Sequence, residues 1–324
     1  MPVKSFRQTR LRVVVAVLVA AVALAGCGET NGAATAPDVT DKGPASAFPR
    51  TVEHAMGSTE IPQRPERVVV LDTGELDSAL SLGVTPVGAV TTAVDTRFLS
   101  YLEDDAAGIE GVGTIPEPNL EAIAALRPDL ILSNKVRHEE LYDELSQIAP
   151  TVFAEAVGAV WKDNLRLAAE ALGLEDEAEA GIEDYEQEAA ALGETLGDPS
   201  ATTISALRFV EGTIRAYSKD SFVGTVFEDI GLGRPELPPG EYAAFTELSP
   251  EQLELADADI VVYSSYGSAE DSGQLSVSAG PLWPRLAAVE KGQAFVVEDD
   301  VYFTGIGLGA ASLIVEDMSD KLQT

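Results

Sequence analysis

The 324 residues include one cysteine, two histidines, two tryptophans and three methionines, and only 21 basic side chains stand against 54 acidic ones. A single thiol excludes any intrachain disulfide. Two histidines, His54 and His138, leave little room for a catalytic triad and too few imidazoles for a bare zinc or manganese site built on several His and carboxylate ligands. Neither a Gly-x-Ser-x-Gly elbow nor an HExxH helix occurs, so the common hydrolase signatures are missing. The deficit of positive charge, formally −33 overall, excludes nucleic acid as a partner.

What basic charge there is concentrates at the start. Lys4, Arg7, Arg10 and Arg12 precede an uncharged run, Val13 to Leu24, which is too short to span a bilayer comfortably. Leu24-Ala-Gly-Cys27 follows, so the lone thiol sits behind two small residues where a peptidase can reach the preceding bond. The segment resembles a bacterial lipoprotein signal: residues 1–26 are the signal peptide and Cys27 the lipid anchor. Two or three acyl chains make such anchoring durable, because each buried methylene contributes about 0.8 kcal/mol and one chain alone binds marginally. Removing residues 1–26 takes away four basic groups and no acidic ones, leaving 17 Lys+Arg against 54 Asp+Glu, formally −37. Residues 27–48, rich in Gly, Ala, Thr and Pro, read as a flexible tether that holds the acidic body off the membrane.

The remainder is long enough for two cores. Arg67-Val-Val-Val-Leu71 reads as a buried strand, Leu76 to Leu82 as a helix stopped by Gly83, and Val87 to Val90 as a strand. Asn119 to Leu126 is a helix, Leu130 to Leu132 a strand, Glu139 to Gln147 a helix, and Thr151 to Phe153 a strand. From Lys162 to Gly197 the Ala, Leu and Glu spacing is helical, interrupted at Gly173 and Gly181. A second alternating block runs from Thr202 to Arg208, through a helix near Phe222 to Ile230, to strands at Ile260 to Tyr263 and Ala294 to Val297 and a helix around Ala310 to Leu322. The fold class is α/β, two lobes with mostly parallel sheets: an N-terminal lobe over 49–160, a helical region over 161–199 and a C-terminal lobe over 200–324.

The two blocks repeat a pattern. Asn119-Leu-Glu121 opens a helix that leads to Asp129 before Leu-Ile-Leu, and Ser249-Pro-Glu251 opens one that leads to Asp259 before Ile-Val-Val. Asn119 and Ser249 suit N-caps and Pro250 the first helical position, which puts each glutamate on an exposed first turn. Favourable charge at a helix N-terminus, worth about 0.3–1 kcal/mol, is sufficient to explain both.

Further phrases occur in order: Ile61-Pro-Gln-Arg-Pro-Glu-Arg-Val-Val, Leu82-Gly-Val-Thr-Pro-Val-Gly88, Pro118-Asn-Leu-Glu, Leu126-Arg-Pro-Asp-Leu-Ile, then Arg208-Phe, Arg215 with Tyr217, Ser221-Phe-Val-Gly224, Gly231-Leu-Gly-Arg-Pro235 and Leu248-Ser-Pro-Glu-Gln. Together, over Thr51 to Met318, they resemble the helical-linker (class III) substrate-binding lipoproteins of ABC importers for ferric siderophores, with cobalamin and haem relatives. The resemblance implies two lobes joined by one long helix near Glu175 to Gly197, a ligand cleft between them, and modest lobe motion. It also implies docking of the permease through one glutamate per lobe, here Glu121 and Glu251. The protein is then a monomeric carrier without enzymatic activity, cofactor or resident metal, the iron arriving inside the siderophore.

A ferric siderophore already fills the iron shell, so its binder needs hydrogen-bond donors and aromatic walls. Arg208, at the end of a strand, and Arg215, in a short Gly-containing connection, are the candidate donors, with Trp161, Tyr217, Tyr302 and Phe303 as candidate walls. Trp283, in Pro-Leu-Trp-Pro, reads as structural; Lys135 and Arg137, after the Leu130 strand, could line the first lobe's wall but read first as solvated surface charge. The Arg208-Phe and Arg215-Ala-Tyr phrases most resemble actinobacterial members that take hydroxamate siderophores. Haem or cobalamin is the alternative cargo within the fold, and an exported hydrolase or scaffold lipoprotein the alternative from another class.

Overall fold

The computed structural model describes residues 47–92 and 97–322; the leader, Cys27 and the tether up to 46 lie outside the described residues. A hairpin, β1 Arg50–His54 with β2 Gly57–Ile61, precedes the first sheet. That sheet contains β3 Val68–Val70, β4 Gly88–Thr91, β5 Glu110–Thr114, β6 Leu130–Asn134 and β7 Thr151–Ala154. All its pairs are parallel, in the order β5-β4-β3-β6-β7. Val68 and Val70 pack into one core with Leu130 and Leu132, while Val69 and Leu71 pack into another with Ile131 and Phe153. The strand alternation thus feeds two apolar faces, each covered, which is why the sequence shows continuous valine and isoleucine runs.

The second sheet contains β8 Ile204–Val210, β9 Thr213–Tyr217, β10 Phe245–Leu248, β11 Ile260–Ser265 and β12 Ala294–Val296, ordered β10-β9-β8-β11-β12. Its opening strand again lies in the middle, with the next two strands to one side and the last two to the other. Here β9 runs antiparallel to both neighbours. The cause is local: Glu211 and Gly212 both take positive φ, 48° and 85°, which makes a two-residue primed turn between Val210 and Thr213. Arg215 therefore lies on a strand, not in a loop connection as the sequence suggested, and sits directly opposite Arg208.

Asp129 and Asp259 are equivalent in the two lobes. Asp129 accepts from the backbone N–H groups of Glu66 and Arg67 just before β3, and Asp259 accepts from Thr203 just before β8. Thr203 and Lys291 hold the Asp259 carboxyl down at about 2.

Between the sheets run the helices Trp161–Leu172 and Glu175–Thr195, separated at Gly173, whose φ is 71°. Gly181 does not interrupt the second helix. A Cβ there would lie 2.7 Å from Leu308, so this glycine admits the C-terminal helix Leu308–Leu322 at close range.

That last helix is capped from another part of the chain. Asp77, on the helix Thr73–Ser81 and fully buried, accepts from the backbone N–H of Gly309 (Oδ1, 2.9 Å) and Ala310 (Oδ2, 3.0 Å), from Tyr101 Oη (2.7 Å) and from Ser81 Oγ (3.2 Å). The Gly305-Ile-Gly-Leu-Gly309 segment makes this approach possible: a Cβ on Gly307 would stand 2.3 Å from Asp77 Oδ1, and one on Gly309 3.1 Å from Oδ2. Gly307→Ala is expected to cost about 1–3 kcal/mol, since the carboxylate is fixed by four donors and cannot yield, and Gly309→Ala less. Urea unfolding of both variants checks the order; equal midpoints would mean that Asp77 is free to move.

Candidate functional site

In a parallel sheet the strand carboxyl ends present backbone groups and helix starts to one side, and a crevice opens where the connections diverge in opposite directions. In the first sheet that point lies between β3 and β6. Asp72, just beyond β3, caps the helix Thr73–Ser81 by accepting from Thr73 N (2.7 Å). Asn134, the buried last residue of β6, accepts at Oδ1 from Arg137 N (3.1 Å) and so shapes the turn Lys135–His138. This turn brings Arg137 over the strand ends, where Nε donates to Asp72 Oδ2 (3.1 Å). Lys135 points elsewhere and pairs with Glu155 (3.1 Å).

The second sheet supplies the opposing wall. Arg208, near the end of β8 and 7% exposed, donates from Nε to Asp299 Oδ1 (2.7 Å) and from Nη2 to Asp299 Oδ2 and to Thr304 Oγ1 (2.7 Å). Ser264 Oγ donates to the same carboxylate (2.6 Å). Burial works against the Arg208 charge, but the Asp299 fork outweighs it and keeps the guanidinium protonated. Its flat face lies 4.4 Å from the Tyr266 ring centre, with Phe303 at 5.8 Å. Arg215, across from it on β9, has Nε 3.2 Å from Glu247 and stacks 4.6 Å over Phe245.

These walls enclose a cleft of 290 Å³ lined by Asp72, Thr73, Thr92, Ile115, Pro116 and Arg137 from one side and Arg208, Arg215, Tyr266, Phe303, Thr304 and Ile306 from the other. Larger hollows of 580 and 620 Å³ flank the C-terminal helix, but they are lined by Glu316 and Asp320 with Lys321 as the only basic residue, and none of the arginines reaches them. Chemically, the 290 Å³ cleft offers fixed cationic donors and aromatic faces.

Of the residues picked from the sequence, Arg208, Arg215 and Phe303 line the cleft, and Tyr217 packs against Phe303 with ring centres 4.8 Å apart. Two do not. Trp161 is 1% exposed, wedged between Tyr185 and Phe222, with Nε1 donating to Thr225 Oγ1 (3.2 Å); the phase of its helix turns it into the second lobe's core. Tyr302 is equally buried and donates to Asp317 Oδ2 (2.6 Å) on the C-terminal helix, while the adjacent Phe303 faces the cleft. Arg137, read as surface charge, belongs to the site, as do Asp72 and Tyr266, which the sequence pattern did not single out. Their position just past strand ends was the available signal.

Trp283 is structural, edge-on to Tyr263 at 4.8 Å. Both histidines are structural too. His54 Nδ1 accepts from Met56 N and Phe153 N, and His138 bridges Ser133 Oγ and the Ile115 carbonyl; burial lowers both pKa values. Among the described residues no three His, Cys, Asp or Glu are grouped to hold a metal ion, and no helix is long and apolar enough to cross a membrane.

Glu121 and Glu251 occupy exposed first turns, as the spacing implies. Asn119 caps its helix through Ala122 N (3.0 Å), and Ser249 hydrogen-bonds the Glu251 carboxyl and holds it below the usual range. The turn after Pro250 is a 3-10 helix, Pro250–Ala256.

The family model described as periplasmic binding protein matches residues 68–301, which includes both sheets and the linking helices. The chain belongs to the periplasmic binding protein family. This family consists of solute binders, not enzymes. The binding protein is 37% identical to "Probable siderophore-binding lipoprotein YfiY" of Bacillus subtilis, over 93% of this chain and 94% of the relative. It is 29% identical to "Fe(3+) dicitrate-binding periplasmic protein FecB" of Escherichia coli, over 84% and 89%. Staphylococcus aureus SirA complexed with staphyloferrin B superposes with a TM-score of 0.75 at 31% identity, covering 85% of this chain and 98% of that one. The two-lobe fold is thus that of the siderophore-binding proteins.

With both indoles outside the cleft, acrylamide is expected to quench the folded binding protein's tryptophan emission several-fold less than that of the urea-unfolded chain. Ready quenching of the folded protein would put an indole at an open surface and contradict the placement of Trp161 and Trp283.

Proposed function

We propose that the chain is the solute-binding component of an ABC importer and that its cargo is an anionic ferric chelate, a ferric siderophore or ferric citrate. One observation carries this reading: in a chain with 54 acidic and 21 basic residues, three arginines from two lobes converge on one cleft. Each is preoriented by a carboxylate (Asp72, Asp299 or Glu247) and so loses little freedom on binding. Guanidinium forks suit the carboxylate, catecholate or hydroxamate oxygens of a chelate whose iron is already coordinated, and the faces of Tyr266 and Phe303 suit its organic backbone. The names of YfiY, FecB and SirA's ligand support the same class. Hydroxamate chelates fit best where they carry net negative charge, since the groups offered to cargo are guanidinium donors whose formal charge Asp72, Asp299 and Glu247 only balance. Of the two tyrosines that could serve haem as an axial ligand, Tyr217 and Tyr302, the second is committed to Asp317, which leaves haem only Tyr217 beside the cleft.

Anchoring by a lipidated Cys27 outside the cell membrane, and permease docking through Glu121 and Glu251, complete the reading. The lipoprotein names of relatives and the exposed, matched first turns support them. A monomeric carrier belongs to the same reading.

Titration with ferric staphyloferrin B, ferric citrate and the cationic ferrioxamine B tests the cargo class. The anionic chelates are expected to bind at least about tenfold more tightly than ferrioxamine B, and less tightly as salt is added. Arg137→Ala and Arg215→Ala are each expected to weaken anionic cargo by about 1.5–3 kcal/mol, the range for hydrogen bonds to charged groups. A preference for ferrioxamine B that survives both substitutions would overturn the reading.

A further inference from the structure

Directly beneath the cleft lies a carboxyl group that touches no cargo surface. Glu75, in the first turn of the helix Thr73–Ser81, is 8% exposed, and its Oε2 is buried without a hydrogen-bond partner among the described residues. Its Oε1 accepts from Asn134 Nδ2 (3.2 Å). The same nitrogen donates to Asp72 Oδ2 (3.0 Å), the oxygen that also receives Arg137 Nε. At its other end Asn134 accepts from the backbone N–H of Arg137. A single fully buried amide therefore links Glu75 to Arg137 twice, through the backbone and, by way of Asp72, through the guanidinium.

The charges around Glu75 are few. Asp72 stands at the start of its own helix, and Arg137 comes from the turn after β6. His138 in that turn is committed to Ser133 and Ile115. The helix Trp161–Leu172 meets Glu75 through Asn164, Leu167 and Ala168 around a small cavity of 20 Å³, and β6 and β7 contribute Leu132, Ser133, Val152 and Ala154, none of which titrates. Two buried carboxyls thus underlie one exposed guanidinium. Burial, with the Asp72 charge added, pushes the Glu75 carboxyl up to about 8, so it carries a proton at neutral pH.

We propose that Glu75 is a positioning residue for cargo binding, whose proton sets how tightly the floor of the cleft holds Arg137. This rests on the anionic-chelate reading above. With Glu75 neutral, Asp72 alone opposes the guanidinium, which remains available to an anion. When the proton leaves to solvent, a second negative charge strengthens the hold on Arg137 and repels anionic cargo. By linkage, cargo bound at Arg137 favours the protonated carboxyl, so loading near the midpoint of its titration takes up a proton.

The test compares the full chain with Glu75→Gln at pH about 6 and about 9.5, either side of the titration. Phenylglyoxal labelling of Arg137, read by peptide mass in ligand-free protein, reports the coupling, and titration with ferric citrate reports its effect on binding. Comparing the two proteins at each pH cancels the pH dependence of reagent and chelate. They are expected to match at the lower pH; at the higher, wild-type Arg137 labels roughly three- to tenfold more slowly and ferric citrate binds more weakly by a similar factor. Should Glu75→Gln not fold, the wild-type ratio of Arg137 to Arg215 labelling reports the coupling instead: it is expected to fall between the two pH values, and a constant ratio overturns the proposal. Labelling that does not diverge overturns the proposal whatever ferric citrate does. Diverging labelling with no ferric citrate bound by either protein keeps the coupling and removes ferric citrate from the cargo class.

Discussion

The carboxylate of Asp77 is the contact on which the geometry of the cleft depends. It sits on the helix that follows β3 and caps the helix that closes the chain, more than 230 residues later. One turn away, Thr73 Oγ1 donates to the Thr304 carbonyl (2.9 Å), and Ser100 N donates to Asp300 Oδ2 (2.8 Å). These ties lie just behind the two walls. Asp72, at the head of the Asp77 helix, holds Arg137; Thr304, just before the glycine segment, holds Arg208. The distance between guanidinium groups of different lobes is thereby set by these hydrogen bonds, of which those to the buried Asp77 are the costliest to break because the freed carboxyl would stay desolvated.

Positive charge is used sparingly and to a purpose. An acidic surface keeps an extracellular body soluble and raises no attraction for nucleic acid, but it would repel an anionic ligand. The cleft offsets that field locally with three arginines, each held by one carboxylate so that the guanidinium is oriented before any ligand arrives. The fork of Asp299 on Arg208 offsets the burial of that charge, while Arg137 remains more open on the other wall. The acidic partners are therefore part of the site as much as the basic ones.

The architecture was largely legible in the sequence, because fully buried strands leave continuous runs such as Val68–Val70 and Ile260–Val262 and because Gly173 and Gly231 mark helix ends. The strand β9 was not. It is five residues long and alternates, Ile214 and Ala216 buried against Arg215 and Tyr217 facing the cleft side, so without its partner β8 it reads as a connection behind Gly212. Site residues were legible where strand ends carry unusual charge, as at Arg208. Trp161 misled because an aromatic at a helix start has no visible phase until the second core is known, and Arg137 was ranked below its place because a lysine and an arginine so close together look more like solvated surface than a cleft wall. Only the fold separates Lys135, paired outward with Glu155, from Arg137, turned inward to Asp72.

On the proposed reading, both lobes hold one ferric chelate among Arg137, Arg208 and Arg215. Diffraction from crystals of the iron-loaded protein, with the iron located by its anomalous signal, tests it most directly. A single iron peak in the cleft is expected, with chelate oxygens against the guanidinium groups of both walls. A peak beside the C-terminal helix near Glu316 and Asp320, or contacts with one lobe alone, would contradict it.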